Sequence, residues 1–265
     1  MSQYEGYGAI ARVYDRLNAE INYAAWADFV EKCFDRFLPQ RPTLVLDLAC
    51  GTGSMTFPLA DRGYDMIGVD GSADMLSEAY LRKEERSNVL LLHQDMRELE
   101  LYGTVGAAVC CLDSLNYLLC REDLLRCFSL VHNYLDPDGV FLFDMNTPYQ
   151  FRHIYGDNAY ILEDELVWDE GTEQEERVPV YCGWQNHFCE ETQICDFDLS
   201  VFEELPDGSY RRADELQQER CYELEEICQT LEQAGFEYLG VWSDYEFSPP
   251  EASTRRWYFA ARAKK

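Results

Sequence analysis

The sequence predicts an α/β fold: a doubly wound, seven-stranded, mostly parallel sheet with an antiparallel β insertion after strand five. Three observations predict it. Short apolar runs alternate with helix-spaced segments from residue 43 to residue 145. The run Thr43–Gly53, TLVLDLACGTG, ends a buried strand in a Gly-x-Gly turn that opens a helix. From about Ala159 to Arg220 helix spacing gives way to alternation.

Each element follows from its local pattern. Over residues 9–37, Ala25, Trp26, Phe29, Val30, Cys33, Phe34 and Phe37 recur at helix spacing. Pro39 and Pro42 end that region and set up a strand over Thr43–Leu48. A helix over Ser54–Arg62 closes at Gly63. Strand two is Asp65–Asp70, and Ser72 caps a helix over Ser72–Arg86. Val89–His93 and Val105–Cys111 are strands three and four, the latter apolar enough for burial on both faces. A helix over Glu122–Tyr134 leads through the turn Leu135–Gly139 to strand five, Val140–Met145. Tyr160–Trp168, Val178–Phe188, Gln193–Leu205 and Ser209–Gln218 read as inserted strands, with Leu205-Pro206-Asp207-Gly208 as a hairpin turn. A helix over Tyr222–Ala234 stops at Gly235, and Phe236–Trp242 and Arg256–Arg262 are the last two strands. Residues 1–148 and 221–265 are therefore expected as one domain, and 149–220 as a subdomain inserted into it.

Composition narrows the function. The chain has 265 residues, 47% of them hydrophobic, which is ample for a core. No uncharged apolar stretch reaches the ~18 residues of a membrane span, and the N-terminus lacks the pattern of a secretory signal. The 11 cysteines are scattered without a C-x-x-C pair, as expected of free thiols in a reducing cytosol. Cys182, His187, Cys189 and Cys195 crowd one segment, but alternating strands would split them between faces, and no metal is expected. A net charge of −28 repels phosphate backbones, so nucleic acid is not an expected partner. Most of that charge is accounted for by solubility alone.

The glycine turn departs from the dinucleotide pattern at Thr56, where a third small residue would stand. Asp47 precedes the turn, and its carboxylate suits a cationic ligand better than a pyrophosphate. The segment LDLACGTG resembles the first motif of class I S-adenosylmethionine-dependent methyltransferases. GVDGSADML, residues 68–76, is similar to their second motif, and HQDMREL, residues 93–99, to their third. CLDSLNYL, residues 111–118, resembles the segment after the fourth strand. LDPDGVFLFDMNTP, residues 135–148, resembles the fifth-strand segment, with Asp138 where a glycine is usual. The resemblance runs over about residues 40–148 and returns at 221–263, where the family has an antiparallel edge pair.

That resemblance implies S-adenosylmethionine as cofactor and one in-line methyl transfer. Asp47 would orient the methionine ammonium, and Ala49, Gly51 and Gly53 would line the methionine portion. Asp70 would take the ribose hydroxyls, with Gly71 and Met75 beside the adenosine. Asp95 and Met96 would hold the adenine, and Leu112 would lie near the reacting end. Tyr14, helped by Tyr7, resembles a lid tyrosine. Asn116, Tyr117 and Asn146 are candidate substrate contacts, and Asp113, Asn146 and His187 are candidate catalytic groups. Trp184 and Arg256 are further candidates from above. Each has a plain alternative: the acids and asparagines cap helices, and the tyrosines pack. A small-molecule acceptor, an amine within that class, is expected. A nicotinamide-dependent oxidoreductase, aminopropyl transfer and a non-catalytic binding protein stay open, as does a homodimer through the inserted sheet.

Overall fold

A computed structural model describes residues 8, 10–83, 85–163, 180–205 and 207–265. Tyr7, the far part of the strand expected over Tyr160–Trp168, residues 178–179 and Pro206 lie outside the described residues.

The chain runs α1 (Tyr14–Leu17), α2 (Tyr23–Phe37), β1 (Leu44–Leu48), α3 (Thr56–Asp61), β2 (Asp65–Asp70), α4 (Ala73–Lys83), β3 (Val89–His93), β4 (Val105–Cys110), α5 (Arg121–Tyr134) and β5 (Leu135–Asn146). A π-helical turn, Gln150–Tyr155, leads to β6 (Ala159–Glu163), β7 (Val180–Cys189), β8 (Ile194–Glu204) and β9 (Tyr210–Arg220). The chain then returns through α6 (Leu224–Gln233), β10 (Phe236–Trp242) and β11 (Arg256–Ala263).

The seven-stranded sheet has the order β10-β11-β5-β4-β1-β2-β3. β1 to β5 are parallel, and β10 and β11 are antiparallel. Strand order reverses between β1 and β4, which opens a crevice at their carboxyl ends, the usual ligand position in such sheets. Alternation along β1 feeds two cores. Val45 joins Trp26, Phe29, Val30 and Phe34 of α2 on one face. Leu46 and Leu48 join Phe128 and Val131 of α5 and Ile227 of α6 on the other.

β6, β7, β8 and β9 form a separate antiparallel sheet. Its inner face carries Cys182, Cys195, Phe197, Leu199 and Val201. Ile10 and Val13 share that core, with Tyr14 and Leu17 packed against it, so the N-terminal segment forms a seam between the two sheets.

Two local expectations need correction. The helix expected over residues 9–37 breaks between Asn18 and Asn22: the Asn18 amide bonds back to Tyr14 O, and the Asn22 side chain accepts from Ala25 N at 3.0 Å and starts α2 afresh. The turn expected at Leu135–Gly139 is absorbed into β5. Pairing jumps from Val105–Leu135 to Ala107–Val140, and the residues between bulge out with Asp138 at φ +62°.

Candidate active site at the strand tips

At the tip of β1, Ala49, Gly51 and Gly53 all adopt positive φ. A Cβ on Gly53 would lie 2.4 Å from the Phe57 ring, so packing demands glycine there. A Cβ on Gly51 would meet nothing within 4 Å, so the turn faces open space. Asp70, at the tip of β2, ties that turn to the next helix. Its Oδ2 accepts from Gly51 N at 2.8 Å and its Oδ1 from Ser72 N at 2.7 Å. Burial pushes its carboxyl up despite those bonds. Each oxygen retains a second lone pair for a ligand hydroxyl.

Asp47 lies behind the turn, 1% exposed. Thr56, at the third-glycine position, donates its hydroxyl to Asp47 Oδ2. Burial pushes this carboxyl up to about 7 against the Thr56 bonds. Met75 is buried at the start of α4, where Ser72 Oγ accepts from its N–H, and Gly71 leads into that helix. Asp95 is already engaged, accepting from Arg97 N at 2.8 Å and Arg97 Nε at 2.9 Å. Burial alone would raise it, but the Arg97 bonds hold it below the usual carboxylate range. Met96 is half-buried beside it.

The short helix α1 is fastened to this turn. Asp15 Oδ1 accepts from Thr52 Oγ1 at 2.7 Å and from Ser54 Oγ at 2.8 Å. Arg82 of α4 completes the knot through Asp15 Oδ2 and Ser54 Oγ. Tyr14 opens α1 and packs against the core of the inserted sheet. Burial, then Tyr23, Asp113, Asp15 and Asp70, push its phenol up.

The tip of β4 turns through two left-handed residues, Leu112 and Asp113, a strained geometry common at functional sites. Asp113 enters a buried polar network. Arg256 of β11 pairs with Asp113 Oδ1 at 2.6 Å and with Asp144 of β5, which is fully buried. Burial pushes Asp144 up to about 6 against the Arg256 charge. Asn146 Nδ2 donates to Asp113 Oδ2 at 3.0 Å and to Glu219 Oε2 of β9 at 3.1 Å. Asn146 N donates to Asn116 Oδ1, whose amide reaches Arg220 O at 2.8 Å. Tyr117 donates to Gln217 Oε1 at 2.8 Å. β9 is thus bonded across the tips of β4 and β5.

The structure brings Asp113, Asn116, Asn146 and Arg256 together, but not His187. His187 pairs in register with Asp196 and Gln218, on the sheet face opposite Phe188, Cys195 and Glu219. Its side chain is 67% exposed and contacts Asp157 at 2.7 Å. Strand alternation therefore takes it away from the network as a candidate base. The same parity separates it from the buried Cys182 and Cys195, and all 11 cysteines are free. Trp184 is on the inner face against Phe197, its indole nitrogen buried without a partner among the described residues. Asp15, Asp144 and Glu219 escape sequence reasoning. Asp144 leaves a signal, as the single acid in the apolar run VFLFDM.

Among the described residues no helix is long and apolar enough to cross a membrane. A family model described as a methyltransferase domain matches residues 45–139. The chain is 31% identical over 264 residues to the putative methyltransferase YqeM of Bacillus subtilis (strain 168), covering 98% of each. It matches a crystal structure of an S-adenosylmethionine-dependent methyltransferase from Clostridium acetobutylicum ATCC 824 with TM-score 0.82 and 30% identity, covering 98% of this chain and 99% of that one. Over 135 residues it is 32% identical to a dTDP-3-amino-3,6-dideoxy-alpha-D-glucopyranose N,N-dimethyltransferase of Streptomyces fradiae, covering 50% of this chain and 51% of that one. With a glycine turn and an acid at neighbouring strand tips, and end-to-end likeness to the first two of these relatives, the chain belongs to the class I S-adenosylmethionine-dependent methyltransferases, and S-adenosylmethionine is its cofactor.

Proposed function

We propose that this enzyme methylates a small-molecule amine held between the tips of β4 and β5 and the inner face of the inserted sheet. One observation carries the reading: β9 turns two polar side chains, Gln217 and Glu219, inward. Leu216 is 59% exposed, whereas Gln217 and Glu219 are buried over the strand tips. A sheet that only covered a core would do the reverse. Three carboxyl groups, Asp113, Asp144 and Glu219, face one guanidinium there, an excess that favours a cation and repels phosphate. The name of the Streptomyces fradiae relative, which describes methylation of an amino sugar's nitrogen, supports the amine class. Residues 149–220 act in this reading as the acceptor's cap.

The residues at β1 and β2 fit the cofactor. Asp70 has lone pairs for two ribose hydroxyls, and the bare Gly51 admits the ligand against backbone. Ala49 and Gly53 shape the wall for the methionine portion, and Asp47 sets a negative charge behind it for the ammonium. Gly71 and Met75 flank the adenosine, while Met96 and the Arg97-held Asp95 edge the adenine. Tyr14 closes over the whole and Leu112 borders the reacting end. When bound, S-adenosylmethionine supplies a methyl group already activated by a positive sulfur. The protein's work is to align the acceptor and exclude water, which is worth about 7–11 kcal/mol of barrier. Incubating the chain with S-adenosylmethionine and separate amine, phenol and carboxylate panels, read by mass spectrometry, tests this. A gain of one methylene unit on amines supports it, and turnover confined to another class sinks it.

A further inference from the structure

Glu219 sits at the seam between the two sheets, 3% exposed. Two residues earlier on the same face, Gln217 already bridges to Tyr117 with a neutral amide. A glutamine at 219 would serve equally well as a strut, accepting from Asn146 and donating to Asp113. A carboxyl costs several kcal/mol more to keep ionised when buried. What it adds is a proton that can leave and return.

The groups facing Glu219 are Asp113 from the tip of β4, Arg256 from β11, Asn146 from β5 and the Cys195 thiol, its cross-strand neighbour on β8. Tyr155 of the π-turn lies against the same cluster. Asp113 is close enough to accept a hydrogen bond from protonated Glu219, and Asn146 Nδ2 bridges both carboxyls. Two further observations point to a ligand. Among the described residues, Asp144 Oδ1, fully buried, has no hydrogen-bond partner. Tyr14 lies within the field of both Asp113 and Asp70, so this one side chain adjoins the network and the tip of β2.

We propose that Glu219, paired with Asp113, takes the proton that a charged amine acceptor must release before it can attack. The inference rests on the amine reading above. The acceptor's N–H bond breaks, its electron pair stays on nitrogen, and the proton passes to a Glu219 carboxylate oxygen. That lone pair then forms the new N–C bond while the S–C bond breaks with its pair going to sulfur. When the charged amine enters, Glu219 releases its own proton to solvent, and the cation holds it ionised until transfer. Burial, and then the charge of Asp113, raise the proton affinity of Glu219 towards that of an amine, which narrows the gap the proton must cross.

Wild type, Glu219→Gln and Asp113→Asn are compared with S-adenosylmethionine as donor. The acceptors are glycine, sarcosine, glucosamine and, as a control without nitrogen, p-cresol, from about pH 6 to about pH 10. Glu219→Gln is expected to lose about 100-fold or more in kcat at neutral pH while binding S-adenosylhomocysteine within about twofold of wild type. The loss shrinks as the pH passes the amine's own pKa, because the acceptor then arrives neutral. A loss constant with pH, or no loss, overturns the proposal and leaves the amine reading standing. Turnover of p-cresol but of no amine overturns both. In wild type bound to S-adenosylhomocysteine, a carbon-13 titration of glutamate carboxyls, with Glu219 assigned by its absence from the variant, gives an answer independent of turnover. Glu219 is expected to titrate above the ordinary carboxylate range, and an ordinary value refutes the proposal.

Discussion

Ser54 Oγ donates to Asp15 Oδ1 at 2.8 Å, so the helix that carries Tyr14 is fastened directly to the glycine turn. Asp15→Ala releases Thr52, Ser54 and Arg82 together. Arg82 is partly exposed but Thr52 and Ser54 are buried, so the fold should lose about 1–3 kcal/mol. The affinity for S-adenosylhomocysteine should fall about tenfold, equivalent to about 1.4 kcal/mol. Calorimetric titration measures it, and an unchanged dissociation constant would detach α1 from cofactor binding.

Asp70 joins Gly51 to Ser72 and, in the proposed function, would offer its remaining lone pairs to the ribose. Asp70→Ala leaves two backbone N–H groups without their acceptor, a stability loss of about 1–3 kcal/mol. Binding should suffer more, by about 100-fold or beyond, because two ligand hydroxyls lose a charged acceptor. Equal affinity in a variant shown by circular dichroism to be folded would remove Asp70 from the site.

The parallel sheet was legible because strands buried on both faces are continuous apolar runs, and the glycine turn and Asp70 fall at their ends. The inserted sheet was legible as strands, but the buried polar groups of β9 were not. In β9 the apolar Leu216 faces out while Gln217 and Glu219 face in, so polarity alone assigns the faces backwards. His187 shows the converse, a residue singled out for its chemistry whose strand parity turns it outward. Asp15 could not be found from sequence because its partners are 37, 39 and 67 residues away. Thr56 was legible as a departure from a pattern, and the structure supplies its reason in the bond to Asp47.

Asp47 gives a pH-dependent prediction. Its folded-state pKa, about 7, lies above its unfolded value, so ionising it costs stability. That cost is absent below about pH 4, grows as pH rises, and is complete above about pH 7. Asp47→Asn should therefore match wild type in stability near pH 4 and exceed it by about 4 kcal/mol at pH 8. It should also bind S-adenosylmethionine more weakly, having lost the charge behind the methionine ammonium. Urea unfolding at the two pH values decides, and a difference that does not grow with pH contradicts the assignment.

Arg256 is the cation within the network of buried carboxyls. Arg256→Gln leaves Asp113, Asp144 and Glu219 uncompensated, a loss of about 3–5 kcal/mol at pH 8. Without the guanidinium Asp144 and Glu219 hold their protons to higher pH, so the loss should shrink towards pH 5. Thermal unfolding across that range tests it, and a deficit independent of pH would reassign Arg256 to packing.

The central claim is that donor and acceptor meet where the tips of β1, β2 and β4 face the inserted sheet. A crystal structure with S-adenosylhomocysteine bound tests it most directly. The account predicts a ribose held by Asp70 and a sulfur turned towards Asp113 and Glu219 beneath β9. A product molecule bound elsewhere, or a sulfur facing away from the inserted sheet, would contradict it.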